Sequence, residues 1–299
     1  MKDIDEKDHR KKKINKVTTF PVPFTPEEIK ENITVITNSL YQTSKEQILN
    51  QAFKYHSEGN IPEAAKYYQH FINQGFNDHR VYSRYGEILK DHGKLKEAEK
   101  YLKEAIKLNP SNSNDYKNLG SILIQCGQLD DAKIQIEKAI KLKPDFDKAY
   151  LNLGVIFLSK GQLNEAETSI RKAIDLNPDF AMAHSNLGAI LKDLGKVKEA
   201  EISTRKAIEL NPNFANAHSN LGSILRDLGK LHDAEFSTRK AIELNPHFAE
   251  AHSNLGGVLN DLDKVKEAFD CYIKATELDP NLSNLNESVS TNILSLILI

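Results

Sequence analysis

The chain has few cysteines, little net charge and no long apolar run, and each shortage removes a class of protein. Its two cysteines, Cys126 and Cys271, lie far apart in the sequence, which excludes a disulfide framework and leaves reduced, partly buried thiols as the expectation. A formal net charge of −2 gives no reason to expect a generic polyanion such as nucleic acid as partner. Basic residues cluster only near the start, at Arg10, Lys11, Lys12, Lys13 and Lys16, and read as a solvated tail. No stretch approaches the roughly 20 apolar residues that cross a bilayer, and Ile293-Leu294-Ser295-Leu296-Ile297-Leu298-Ile299 is far too short. The first residues lack the apolar core of a secretory signal, so a cytoplasmic location is expected. On that expectation the glycosylation-like triplets at Asn32 and Asn286 carry little weight. There is no glycine-rich phosphate loop, metal-ligand cluster or nucleophile motif, so neither catalysis nor a cofactor or metal is expected.

What the chain does have is a period of about 34 residues. Seven copies run in register: 45–78, 79–112, 113–146, 147–180, 181–214, 215–248 and 249–282. Proline recurs at Pro110, Pro144, Pro178, Pro212, Pro246 and Pro280, and a Tyr-Gly or Leu-Gly pair opens with Tyr85, Leu119, Leu153, Leu187, Leu221 and Leu255. In copy 181–214, Leu187, Ile190, Leu191 and Leu194 share one face of a first helix that Gly195 ends. Val197, Ala200, Ala207, Ile208 and Leu210 mark a second helix that stops before Asn211-Pro212. Gly188 opposite Ala200 lets the pair approach closely. Repeats five and six carry Thr204 and Thr238 where a large apolar residue is expected, with Ile202 and Phe236 two positions earlier as compensation. The first copy has drifted most, with Ala52 for glycine and Phe76 for proline.

The flanks differ. Residues 1–24, with Phe20-Pro21-Val22-Pro23-Phe24, read as a disordered, basic, proline-containing tail. Thr25-Pro26-Glu27-Glu28 starts a helix over 25–44 whose Ile29, Ile33, Ile36 and Leu40 form one apolar face, suited to capping the first repeat. Residues 283–299 begin an incomplete eighth repeat, with Ser290 in place of the glycine, and offer an end for self-association.

The small-Gly-Tyr/Leu-Ala-Phe/Leu-Ala-Pro pattern of each copy resembles the tetratricopeptide repeat. That resemblance implies an all-α, right-handed superhelical solenoid of helix-turn-helix repeats whose first helices line a concave groove. It also implies a protein-interaction scaffold that binds a protein or peptide partner.

A polar stripe runs along the first helices at positions 2, 5, 6, 9, 12 and 13 of the repeat. Position 6 is Asn118, Asn152, Asn186, Asn220 and Asn254 in five successive copies. A carboxamide offers donors and an acceptor, so a row of them can hold the backbone of an extended peptide of any sequence. Ser185, Ser219 and Ser253, with Asp193, Asp227 and Asp261, are expected to add selectivity for polar or basic side chains. The alternative is that the asparagines bond neighbouring backbone or one another. On the first expectation, alanine at Asn186, Asn220 and Asn254 together removes capture and leaves melting nearly unchanged.

The ladder and the thrice-repeated Ala-His-Ser-Asn-Leu-Gly look most like the repeat half of O-linked N-acetylglucosamine transferases. This implies a second reading, the substrate-recruiting part of a protein-modifying enzyme whose catalytic domain lies elsewhere. A carboxylate-tail clamp fits less well. Arg80 and Arg84 form a basic pair on the groove face, but Glu46 precedes them, and Asn216 and Asn220 stand where cations belong after Lys148 and Asn152. His184, His218 and His252 recur once per repeat, about 10 Å apart, much too far to share a metal with bonds of about 2 Å.

Overall fold

A computed structural model of the chain describes residues 44–281. The tail over 1–24, the capping helix over 25–44 save its last residue, the incomplete repeat over 283–299 and the proposed end for self-association lie outside the described residues. The chain divides into two compact units, Met1–Phe76 and Asn77–Ile299.

In the first unit, helix α1 (44–57) pairs with α2 (Ile61–Asn73). Asn60 caps α2 by accepting from the Glu63 amide, and Pro62 sits in the first turn, where no amide donor is needed. Phe71 stands where every later copy has alanine: Tyr68 and Phe71 are fully buried, and Phe71 packs against Phe76 at 5.2 Å between centroids. The residue that breaks the proline pattern is therefore part of this hairpin's core.

The second unit repeats one hairpin six times. Its first helices are α3 (His79–Asp91), α5 (Ser113–Gln125), α7 (Asp147–Ser159), α9 (Ala181–Asp193), α11 (Ala215–Asp227) and α13 (Ala249–Asp261). Its second helices are α4 (Leu95–Leu108), α6 (Leu129–Leu142), α8 (Leu163–Leu176), α10 (Val197–Leu210), α12 (Leu231–Leu244) and α14 (Val265–Leu278). Each turn within a hairpin needs a left-handed residue, which Gly195 supplies at φ +74°. In the last repeat Asp263 takes that role at φ 59°. Asn211, held extended by Pro212, ends α10 at the boundary the sequence predicts.

The two helices of a hairpin meet at the glycine. A Cβ on Gly120 or Gly154 would fall 2.6 or 2.5 Å from the Cδ1 of Ile136 or Ile170. In repeats five and six the facing residue is a fully buried threonine, whose hydroxyl donates to the carbonyl four residues back: Thr204 to Ala200 at 2.9 Å and Thr238 to Ala234 at 2.8 Å. Ile202 and Phe236 do not compensate, being 71% and 75% exposed. Residues two apart on a helix point to different faces, so neither reaches the space in front of the glycine.

Since Ile136 and Ile170 fill the same place in repeats three and four, Thr204→Ile is expected to raise the melting temperature through a gain of about 1 kcal/mol. A lowered melting temperature would mean that this repeat has closed around the smaller side chain.

Neighbouring repeats are tied on the outside by ion pairs 29 residues apart. Lys196, Lys230 and Lys264 each reach back 2.8 Å to Glu167, Glu201 and Glu235. Each glutamate also holds the arginine one turn along its own helix, Arg171, Arg205 or Arg239, and is only 13–15% exposed. The lysine hydrogen bond is the largest influence holding each carboxyl below its usual value of 4.5.

A carboxylate with a lowered folded pKa stabilises the fold above its unfolded pKa, and the contribution is lost as pH falls through the folded one. The melting temperature is therefore expected to drop as the pH is taken below 4.5. Glu167→Gln/Glu201→Gln/Glu235→Gln should start lower and lose less over the same range. Parallel acid profiles for variant and parent would show that the ladder is not the titrating element.

Candidate functional site

First helices of successive repeats in the second unit pack on one another, whereas successive second helices have no comparable contact. The unit therefore curves with its first helices inside, and the polar stripe lies on that inner face. Asn152, Asn186, Asn220 and Asn254 are half-buried along it, and Asn118 is only 2% exposed.

The asparagines are not equivalent. Asn220 Nδ2 donates to Ser185 Oγ at 3.1 Å, and Asn254 Nδ2 donates to Ser219 Oγ at 3.0 Å. Ser185 and Ser219 are buried at 1% exposure, so they anchor the next repeat's asparagine and are not free to read a peptide side chain. Ser253 is half-buried. Asn220 Nδ2 also donates to the Ser185 carbonyl at 3.4 Å, which leaves Asn220 its oxygen, whereas Asn254 keeps one N–H and its oxygen. The Asn186, Asn220, Asn254 triple variant is therefore expected to melt lower than the parent, not unchanged, because two of the three asparagines hold neighbouring repeats together. Leu151 and Lys117 stand where Asn186 and Asn152 would find a serine. Among the described residues these two carboxamides make no hydrogen bond within the protein, so both their donors and their acceptor remain available.

Asn118 belongs to a different cluster. It accepts from Lys117 Nζ, and beside it Asp115 lies wholly buried, accepting from Ser83 Oγ and, at 2.8 Å, from Asn112 Nδ2. Burial raises the Asp115 carboxyl above its ordinary value despite these two bonds, and burial lowers the Lys117 ammonium. The signal for this cluster was present in the sequence: Asp115 occupies a position that is Val81 in the copy before and Ala149, Ala183, Ala217 and Ala251 in the copies after. Arg80, Arg84, Glu87, Asn114 and Asn118 help line a polar hollow of about 330 Å³ at this end of the groove. The Arg80 guanidinium is engaged by Asp78 at 2.7 and 3.0 Å, the side-chain bond that raises its pKa most.

The aspartate row is also partly engaged. Arg226 forks onto Asp261, with Nη2 to Oδ1 at 3.1 Å, and Lys192 lies 3.9 Å from Asp227. Gly257 beneath lets that guanidinium lie close, since a Cβ there would fall 2.5 Å from Arg226 Nη1. Asp193 is exposed, and Leu158 rather than a cation precedes it by one repeat.

The recurring histidines have a structural task. His184, His218 and His252 bring Nε2 within 2.8, 3.0 and 3.1 Å of the carbonyls of Pro178, Pro212 and Pro246. A carbonyl only accepts, so Nε2 carries the hydrogen, and each ring ties a first helix to the preceding inter-repeat turn. Among the described residues no group of three or more histidine, cysteine or acidic side chains is placed to hold a metal, and no helix is long and apolar enough to cross a membrane.

Residues 63–290 match the family described as the cilia and flagella-associated protein 70 C-terminal domain, a tetratricopeptide repeat family. The chain belongs to that family. Among solved structures, this tetratricopeptide repeat chain is similar to a tetratricopeptide repeat protein of Parabacteroides merdae, with a TM-score of 0.65 at 17% identity, covering 83% of this chain and 98% of that one. It is similar to a thermophilic tetratricopeptide repeat protein of Thermus thermophilus, with a TM-score of 0.54 at 22% identity over 61% and 100% of the two chains. It also resembles a chain of the APC/C hetero-tetramer Cut9-Hcn1, with a TM-score of 0.67 at 16% identity over 83% of this chain and 49% of that one. Identities this low establish the fold alone, an all-α superhelical repeat. No curated protein matches the chain.

Proposed function

We propose that the inner face of α5 to α13 holds an extended segment of another protein by its backbone, without catalysing a reaction on it. The observation that carries this reading is the pair Asn152 and Asn186, two half-buried carboxamides on neighbouring helices with donors and acceptor unengaged. Asn220 contributes its oxygen, Asn254 a remaining N–H and its oxygen, and Asp193 favours a basic side chain. The cytoplasmic location expected from the sequence belongs to this reading.

Random dodecapeptides panned over the immobilised full chain test it. The enriched peptides are expected to share an extended conformation and some basic bias but no strict side-chain consensus. Enrichment confined to peptides ending in an acidic carboxylate, or no enrichment at all, would count against a backbone-reading groove.

The resemblance to a sugar-transferase repeat region rests on Ala-His-Ser-Asn-Leu-Gly, and most of that motif has an internal task in repeat five. Ala183 and Leu187 are buried, His184 binds Pro178, Ser185 accepts from Asn220, and Gly188 admits α10. The motif is thus accounted for by packing, and no specific observation favours the enzyme-recruitment reading.

A further inference from the structure

Asn152 and Asn186 stand between charges of opposite sign. On one side are two lysines. Lys117 of α5 is half-buried, and among the described residues its ammonium donates only to the Asn118 oxygen. Burial lowers its pKa, and the nearby Lys90 and Lys148 lower it further, against Glu87 and Asp91 of α3. Asp91 is itself held by Lys90 at 3.2 Å. Lys148 of α7 is exposed, and its ammonium makes no hydrogen bond or ion pair among the described residues. A half-buried ammonium with one neutral acceptor, beside a second cation, is a place for a carboxylate.

On the other side is Asp193 of α9. In the repeats that follow, a cation at the twelfth position reaches the aspartate at the thirteenth position one repeat on: Lys192 lies 3.9 Å from Asp227, and Arg226 forks onto Asp261. Leu158 holds the corresponding place before Asp193. The row is short of one cation at its start, and the two filled places show what fits the third.

The two poles lie at opposite edges of the groove. Lys148 is at the second position of its repeat and Asp193 at the thirteenth, a separation of about 16 Å along a helix, with the asparagines between them on the floor. A strand whose peptide groups bond that floor projects its side chains alternately to the two edges. We propose that the segment held by Asn152 and Asn186 carries an acidic side chain that meets Lys117 and Lys148, and a basic one, an odd number of residues away, that meets Asp193. The acid sits between α5 and α7 and the base on α9, about one and a half repeats apart. Neighbouring helices are about 10 Å apart and an extended chain advances about 3.3 Å per residue, so the odd spacing that fits is about five. This rests on the groove as the peptide site and adds the chemistry of its ligand: a uniformly acidic or basic segment meets a like charge at one pole.

The chain has no tryptophan, so a tryptophan at one end of a dodecapeptide of alanine, serine and threonine reports binding to the full chain by its emission. One such peptide carries glutamate and arginine five residues apart, a second carries them four apart, and a third has glutamine at both places. Two more carry one charge each. The first is expected to bind about tenfold tighter than the second and third, with the margin shrinking at high salt. Lys148→Glu should abolish the gain that glutamate gives and keep the gain from arginine; Asp193→Asn should do the converse, with melting unchanged in both variants. Equal affinity for charged and neutral peptides overturns the charge pairing and leaves the groove reading standing. Equal affinity at the two spacings overturns the placing of the poles at opposite edges. Binding by none of the five overturns the groove reading and the pairing with it.

Discussion

Gly188→Leu is expected to cost about 3 kcal/mol and to split thermal unfolding, with repeat five and its neighbours melting first. At this glycine an added side chain meets a rigid obstacle. A Cβ there would lie 1.9 Å from Thr204 Oγ1 and 3.3 Å from the Ala200 carbonyl. The threonine can move aside only by breaking its hydrogen bond to Ala200, which leaves a buried hydroxyl unpaired, and the carbonyl belongs to the backbone of α10. A leucine must therefore push the helices apart.

The comparison with Gly120 sharpens this. There the obstacle is the far end of Ile136, which can rotate, so Gly120→Ala should be better tolerated than Gly188→Ala although both glycines hold the same place in the repeat. Circular dichroism melts of the three variants give the ranking. Equal tolerance at Gly120 and Gly188, or a Gly188→Leu variant as stable as the parent, would contradict the close approach.

The period made the hairpins legible, down to the turn at Gly195 and the stop before Pro212. Features that depend on which neighbour a side chain meets were harder to read. Ile202 looked like a substitute for the missing bulk at Thr204, but a shift of two positions turns a side chain to another face. Glu201 and Arg205 are four residues apart, a spacing that any helix brings together, whereas Lys230 reaches the same carboxylate from 29 residues away, a spacing no single-helix rule contains. The asparagine row was legible as a ladder. Its division into engaged and unengaged members was not, because that depends on whether the preceding repeat offers a serine, as at Ser185 and Ser219, or Leu151 and Lys117.

That division sets the largest expected effect on binding. Each unengaged carboxamide can make two hydrogen bonds to an extended backbone, and a net 0.5–1.5 kcal/mol apiece is typical. Losing both side chains should remove about 3 kcal/mol, or roughly a hundredfold in affinity. Stability should stay within about 0.5 kcal/mol of the parent, because neither side chain makes a hydrogen bond among the described residues. Asn220→Ala/Asn254→Ala, by contrast, should weaken binding and lower the melting temperature together, through the lost bonds to Ser185 and Ser219.

The most direct measurement is therefore the affinity of one panned peptide for the parent chain and for Asn152→Ala/Asn186→Ala, by titration calorimetry with melting curves alongside. A drop of about a hundredfold with unchanged melting is the predicted result. Undiminished affinity in the double variant would contradict the groove as the binding site.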